Sequence, residues 1–337
     1  MRAFRWEFIA AVAMSTALAI GISSPAAADP EPVVAPTSST SQIPKTAGPA
    51  QISHPDASRY VRSNPGAVPR GVNDFTCSPS TDRPRPVVLL HGTDSTAYSD
   101  FAALGPRLFD AGYCVFALNY GGREGGANYG TEDMRASAAQ VAAFVDQVLT
   151  ATHSERVDIV GYSQGATVGR YVINELDGAR VVGSWVGLAS PSYGSALYGL
   201  VPVAEKLPGA MDVASTVLPE ELVSTALWQQ VQGSAFLERL NNPTDTVPGV
   251  AYVTIASLVD EVIQPSSSVA LRDPAATNIV LQEVCPRNLT GHFRMPYDDL
   301  AISLVMAALD PRSEIIGECV DVLLGAGILD MVIAENS

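Results

Sequence analysis

Ser163 sits in Gly161-Tyr162-Ser163-Gln164-Gly165, a Gly-x-Ser-x-Gly spacing that can lift a serine hydroxyl out of a tight strand-to-helix turn and present it as a nucleophile. Glycine is needed two residues to either side because a Cβ at Gly161 or Gly165 would collide with the neighbouring strand or helix. The pentapeptide alone is a weak signal, so its flanks decide. Val157-Asp158-Ile159-Val160 reads as a buried strand entering the turn, and Val168, Tyr171, Val172 and Leu176 recur as one apolar helical stripe leaving it. This context predicts a nucleophile elbow with Ser163 as the attacking group.

A serine hydroxyl needs a base, and the base needs an orienting acid. With four histidines in the chain, the base can be sought by elimination. His54 lies in a Pro/Ser-rich stretch without a sign of regular structure, and His153 lies in the short loop before the elbow strand, on the wrong side of the sheet. His91 closes the strand Val87–Leu90 in a His-Gly pair, which suits an oxyanion loop better than a base. His292, in Leu289-Thr290-Gly291-His292-Phe293, remains as the expected base. The order Ser, acid, His is the one used by the α/β-hydrolase fold. The strand Gly249–Ala256 runs into Ser257-Leu258-Val259-Asp260-Glu261, which makes Asp260 the expected acid and Glu261 a serious rival. Asp245 precedes that strand and would fall on the far side of the sheet. Acyl transfer also needs donors aimed at the developing oxyanion. The backbone N–H of Gln164, after the nucleophile, and Thr93, in the loop after Val87–Leu90, are the expected pair.

His91-Gly92-Thr93, the elbow, Ala256–Pro265, Trp228-Gln229-Gln230, Gly233-Ser234 and Cys285-Pro286 together resemble the secreted actinobacterial class 2 lipases and are similar to Candida antarctica lipase B. The likeness extends over roughly residues 75–320 and rests on several ordered motifs. It implies hydrolysis of triacylglycerols or other carboxylic esters without a metal or other cofactor. It also implies Ser163, Asp260 and His292 as the triad and Thr93 and Gln164 as the oxyanion donors. The family's Asp-Glu-x-x-x-Pro pattern takes the first acid, which favours Asp260 over Glu261. The four cysteines allow three pairings. The resemblance favours Cys77–Cys114 and Cys285–Cys319, each bracing a segment that bears catalytic parts. The chain departs from the family at Tyr162, where His or Trp is usual, at Ala166 in place of a common Gly, and at Phe293 in place of a smaller residue. Tyr162 and Phe293 would narrow the pocket and count against a preference for long-chain triglycerides.

The elements that must position these residues alternate along the chain. Strand Val87–Leu90, helix Phe101–Ala111, strand Cys114–Leu118, helix Glu132–Leu149, strand Val157–Val160, the helix after the elbow and strand Val181–Leu188 predict an α/β protein. Its sheet should be mainly parallel and doubly wound, with helices on both faces. Residues 1–28 read as a signal peptide, with Arg2 and Arg5 before the apolar run Phe8–Ile22 and Ala26-Ala27-Ala28 as a cleavage site. Residues 29–70 read as a flexible leader rich in Pro, Ser and Thr. Residues 71–337 are long enough for one catalytic domain with a sizeable core. Within that domain, 197–240 is a Pro-interrupted apolar region, readable either as a small helical cap over the acyl pocket or as a core-packed helix pair.

A formal charge of −15 without basic clusters argues against nucleic acid and against anionic membrane surfaces, and suits neutral esters. Neither Cys-x-x-Cys nor paired histidines appear, which argues against a metal site. The signal peptide predicts an extracellular protein without a stable membrane anchor. The expected function is a secreted serine lipase or esterase working through an acyl-enzyme. Acyl transfer to an alcohol or cell-wall acceptor is the enzymatic alternative, because a triad does not choose between water and alcohol. A non-catalytic binding protein on the same fold is the alternative from another class, weakened by five competent catalytic positions.

Overall fold

The computed structural model describes residues 39–195, 224–310, 312 and 317–328, so the expected signal peptide and residues 197–223 of the expected cap lie outside the described residues. In chain order the strands are Thr40–Gln42 (β1), Thr46–Gly48 (β2), Ala67–Pro69 (β3), Val87–Leu90 (β4), Val115–Gly122 (β5), Val157–Tyr162 (β6), Val182–Leu188 (β7), Ala251–Ala256 (β8) and Thr277–Val280 (β9). Among the described residues the main sheet has seven strands in the order β1-β5-β4-β6-β7-β8-β9. β1 runs antiparallel to β5, and every other neighbouring pair is parallel. β4, β5 and β6 are buried along their whole lengths, as strands covered on both faces should be.

Alternate side chains divide the core into two layers. Val88, Leu90, Phe116, Ile159 and Trp185 pack with the helices Met134–Thr152 and Gln164–Glu175. Val87, Leu89, Val115, Val160 and Val186 pack on the opposite face with Phe101, Leu104, Leu108 and the helix Asp299–Leu309. This is the doubly wound, mainly parallel α/β arrangement expected from the alternation of elements. The chain leaves β4 for β5 on one side and returns past β4 to β6 on the other. The loops after β4 and β6 therefore diverge over the strand ends and open a crevice at the switch point. Gly92, Thr93 and Ser163 lie there.

The helix expected over Phe101–Ala111 is two helices, Ala97–Phe101 and Leu104–Asp110. Pro106 has no N–H for the carbonyl four residues back, and its ring would clash with that carbonyl in a continuous helix. The freed Ala102 carbonyl accepts instead from the Gln51 N–H at 3.0 Å.

The flexible leader expected over 29–70 is corrected over its described part. β1 extends the main sheet, β2 and β3 pair in parallel, and His54–Ser63 is a helix. Regular structure thus begins at Thr40 among the described residues, well before residue 71. Ser53 caps the helix by accepting from the Asp56 N–H at 3.3 Å, and Pro55 occupies its first turn. Ala57 and Val61 then bury against Tyr98, Ala102 and Tyr297. Few apolar residues suffice because the domain itself supplies the opposite wall. Two disulfides join Cys77 to Cys114 and Cys285 to Cys319. Among the described residues no helix is long and apolar enough to cross a membrane.

Candidate active site

Ser163 follows β6 directly, with φ of 51°, a backbone region that non-glycine residues seldom occupy. Its own N–H donates to the Leu188 carbonyl at 2.8 Å, which pins the strained turn to β7. A Cβ at Gly161 would run into the Ala166 backbone, and one at Gly165 into the Leu90 carbonyl. Both flanking glycines are therefore required by the close approach of strand and helix. The following helix starts at Gln164, whose backbone N–H lies in the first turn and has no intrahelical partner.

His292 reaches the serine from the loop before the last long helix. Its Nε2 lies 3.0 Å from Ser163 Oγ and its Nδ1 3.0 Å from Asp260 Oδ2. All three side chains are buried. Asp260 Oδ1 accepts the N–H groups of Val262 at 2.8 Å and Ile263 at 2.6 Å, so the carboxylate is fixed by backbone donors on its other side. The histidine loop is held independently of the ring. Tyr162 Oη donates to the His292 carbonyl at 3.0 Å, and Ser257 Oγ donates to the Thr290 carbonyl at 2.6 Å. Glu261, the rival acid, does not touch the imidazole nitrogens; it accepts the backbone N–H of His292. Its carboxylate lies against the α-carbon of Gly291, where any Cβ would strike it. Burial pushes the Glu261 carboxyl up, Asp260 adds to the rise, and the N–H groups of Glu261 and His292 oppose it.

The loop after β4 carries Thr93. Gln164 Nε2 and Gln230 Nε2 each donate to Thr93 Oγ1 at 3.0 Å. A hydroxyl has two acceptor positions and one proton. With both positions occupied by amide donors, the Thr93 O–H is left to donate. Gln164 is anchored by the Gly130 carbonyl at 2.8 Å and Gln230 by the Ala226 carbonyl at 2.9 Å. His91 is fully buried; its Nδ1–H donates to the Gly92 carbonyl at 2.8 Å and its Nε2 accepts the Tyr120 N–H at 3.2 Å. Burial lowers its pKa, outweighing the Gly92 carbonyl and Asp100. A neutral imidazole with both nitrogens engaged shapes the loop and cannot serve as the base.

A cavity of about 350 Å³ opens above Ser163 and His292, with Tyr162, Leu227, Val262, Ile263 and Phe293 among its walls. The departures at Tyr162 and Phe293 thus line the cavity. Leu227 and Gln230 come from the described part of the expected cap, which forms the short helices Thr225–Gln229 and Ala235–Leu240. A larger cleft, of about 540 Å³, is bounded by Tyr193, Asp245 and Arg272 and joins no nucleophile to a base. Asp245, the third acid weighed above, is spent there accepting from Tyr193 Oη and the Arg272 and Asp273 N–H groups. Among the described residues no three His, Cys, Asp or Glu side chains converge on a metal position.

The sequence reading missed three polar residues at the site: Gln230, Asp100 and His54. Gln230 was visible only as part of Trp228-Gln229-Gln230. His54, set aside as lying in irregular chain, is in a helix and lines the cavity. The signal that could have found its helix is Ser53-His54-Pro55-Asp56, a capped start with proline in the first turn.

The family model for lipase (class 2) matches residues 84–296. No curated protein matches the chain. Among solved structures, Aspergillus fumigatus lipase B is similar at 19% identity and a TM-score of 0.57, covering 79% of this chain and 64% of that one. This chain thus spans less than two thirds of that lipase's length. The mature form of Bacillus licheniformis lipase BlEst2 is similar at 19% identity and a TM-score of 0.50, covering 68% of this chain and 94% of that one. At these identities the likeness establishes the shared fold.

Proposed function

The chain belongs to the class 2 lipase family, and on that premise we propose that it is a carboxylic ester hydrolase working through an acyl-enzyme on Ser163. His292 Nε2 takes the Ser163 proton as Oγ attacks the ester carbonyl carbon. Asp260 holds the imidazole by its Nδ1–H and stabilises the imidazolium that forms. The Gln164 N–H and the Thr93 donors receive the carbonyl oxygen as it becomes an oxyanion. His292 then returns the proton to the leaving alcohol. Water, deprotonated by the same imidazole, attacks the acyl-enzyme and releases the acid.

The relay from Asp260 through His292 to Ser163, with both contacts at 3.0 Å, carries this assignment. The apolar cavity walls and the net charge of −15 favour neutral esters over anionic ones. Two disulfides and the signal-like residues 1–28 support an exported protein. The test is hydrolysis of p-nitrophenyl esters from acetate to palmitate by the wild type and by Ser163→Ala. Turnover by the wild type and a loss on the order of 10⁴-fold or more in kcat for the variant are expected. A well-folded Ser163→Ala protein with near-normal turnover would overturn the assignment.

A further inference from the structure

A second imidazole lines the cavity that holds Ser163 and His292. His54, from the helix His54–Ser63, has 15% of its side chain exposed, and its Nε2 lies 3.3 Å from Asp100 Oδ1. Its Nδ1 lies 3.2 Å from Ser58 Oγ, and its ring meets Tyr297 edge-on at 6.2 Å. Both ring nitrogens are therefore engaged away from Ser163, so His54 is not a competing base.

Asp100 is buried and binds the oxyanion loop directly. Its Oδ2 accepts the Gly92 N–H at 2.7 Å and its Oδ1 accepts the Ser95 hydroxyl at 2.9 Å. Gly92 precedes Thr93 and lies against the nucleophile, since a Cβ there would sit 3.4 Å from the Ser163 Cβ. A buried carboxylate must be paired and hydrogen-bonded to remain ionised. Burial opposes the charge on Asp100, but the His54 contact and the Gly92 N–H together hold its carboxyl below the ordinary range. Asp100 is thus a clamp with the oxyanion loop on one side and the N-terminal helix on the other.

We infer that His54 is a positioning residue for ester hydrolysis: by donating to Asp100 it fixes the Gly92–Thr93 backbone so that the Thr93 donors meet the developing oxyanion. This rests on the assignment of Ser163 as the nucleophile. Oxyanion donors act mainly in the transition state, so a loosened loop lowers kcat while leaving KM nearly unchanged. Docking of the helix alone would change stability and the yield of folded protein, not kcat per active site.

The test compares His54→Phe, which keeps a ring but no donor, with His54→Gln, which keeps an N–H donor. Active sites in each full-length protein are counted by fluorophosphonate titration, and kcat and KM are measured on p-nitrophenyl butyrate. His54→Phe should lose kcat on the order of tenfold per active site with KM little changed, less than the ~10²–10³-fold cost of deleting an oxyanion donor itself. His54→Gln should recover most of the rate. Wild-type kcat in His54→Phe, or equal losses in the two variants, would overturn the inference. Should the phenyl ring prevent folding, His54→Ala with added imidazole makes the same comparison; restored kcat is expected, and no restoration overturns it. A fully active Ser163→Ala protein would remove the premise, whereas an inactive one beside an unchanged His54→Phe would remove only the role of His54.

Discussion

At the scale of single residues, the two neighbouring acids Asp260 and Glu261 divide two tasks. Asp260 faces the imidazole Nδ1, and Glu261 holds the backbone N–H of His292. Asp260→Asn should keep the fold but favour the wrong imidazole tautomer, cutting kcat by roughly 10⁴-fold as in other triads. Glu261→Gln keeps an acceptor for the His292 N–H and should cost far less. If p-nitrophenyl ester kinetics return these losses exchanged, Glu261 is the triad acid. Glu261 should also leave a mark on stability. Burial raises its folded pKa, so its contribution is fully present below the unfolded value and is lost as pH rises through the folded one. Glu261→Gln removes that titration. Its Tm should therefore gain on the wild type as pH rises above the ordinary glutamate value of about 4.3. A Tm difference that stays flat, or moves toward the wild type, contradicts the burial of this carboxyl.

At the scale of elements, the loop bearing His292 is braced from the C-terminal side. Cys285 joins Cys319, and Leu289 and Val322 are linked by an N–H to carbonyl bond of 3.2 Å. Cys77–Cys114 instead ties the approach to β5 against the core around Phe116. Closing loops with sequence separations of 37 and 34 should stabilise each by roughly 4 kcal/mol in the loop-entropy model. A thiol reductant should therefore lower the Tm. Cys285→Ser with Cys319→Ser should lose activity at a lower temperature than Cys77→Ser with Cys114→Ser. Thermal inactivation curves in which the Cys77/Cys114 pair matters more would show that the histidine loop does not depend on its bridge. The elements that hold Ser163 were legible because their signals are local: apolar runs for β4 and β6, and glycines spaced around the serine. The start of the helix His54–Ser63 carried a local signal in Ser53-His54-Pro55-Asp56, but its docking was not legible, because Ala57 and Val61 bury against Tyr98 and Tyr297, which no local pattern links to them. For the same reason the His54–Asp100 contact and the Gln230 bond to Thr93 were invisible. Each depends on which distant segment the fold brings alongside.

At the scale of the whole molecule, the parallel sheet places the β4 and β6 loops at one crevice and delivers Asp260 and His292 from later in the chain. The order Ser, acid, His could be read from the sequence because a parallel sheet carries residues at successive strand ends to the same edge. The N-terminal residues from β1 onward are part of that body and supply one wall of the cavity through His54. On this mechanism Ser163 should be the one chemically activated serine of the chain. The direct measurement is reaction of the full-length protein with a fluorophosphonate, followed by peptide mapping and an assay of residual p-nitrophenyl butyrate hydrolysis. One label per chain on Ser163, with activity lost in proportion to labelling, is the predicted result. A label on another residue, or full hydrolytic activity in protein labelled at Ser163, would contradict it.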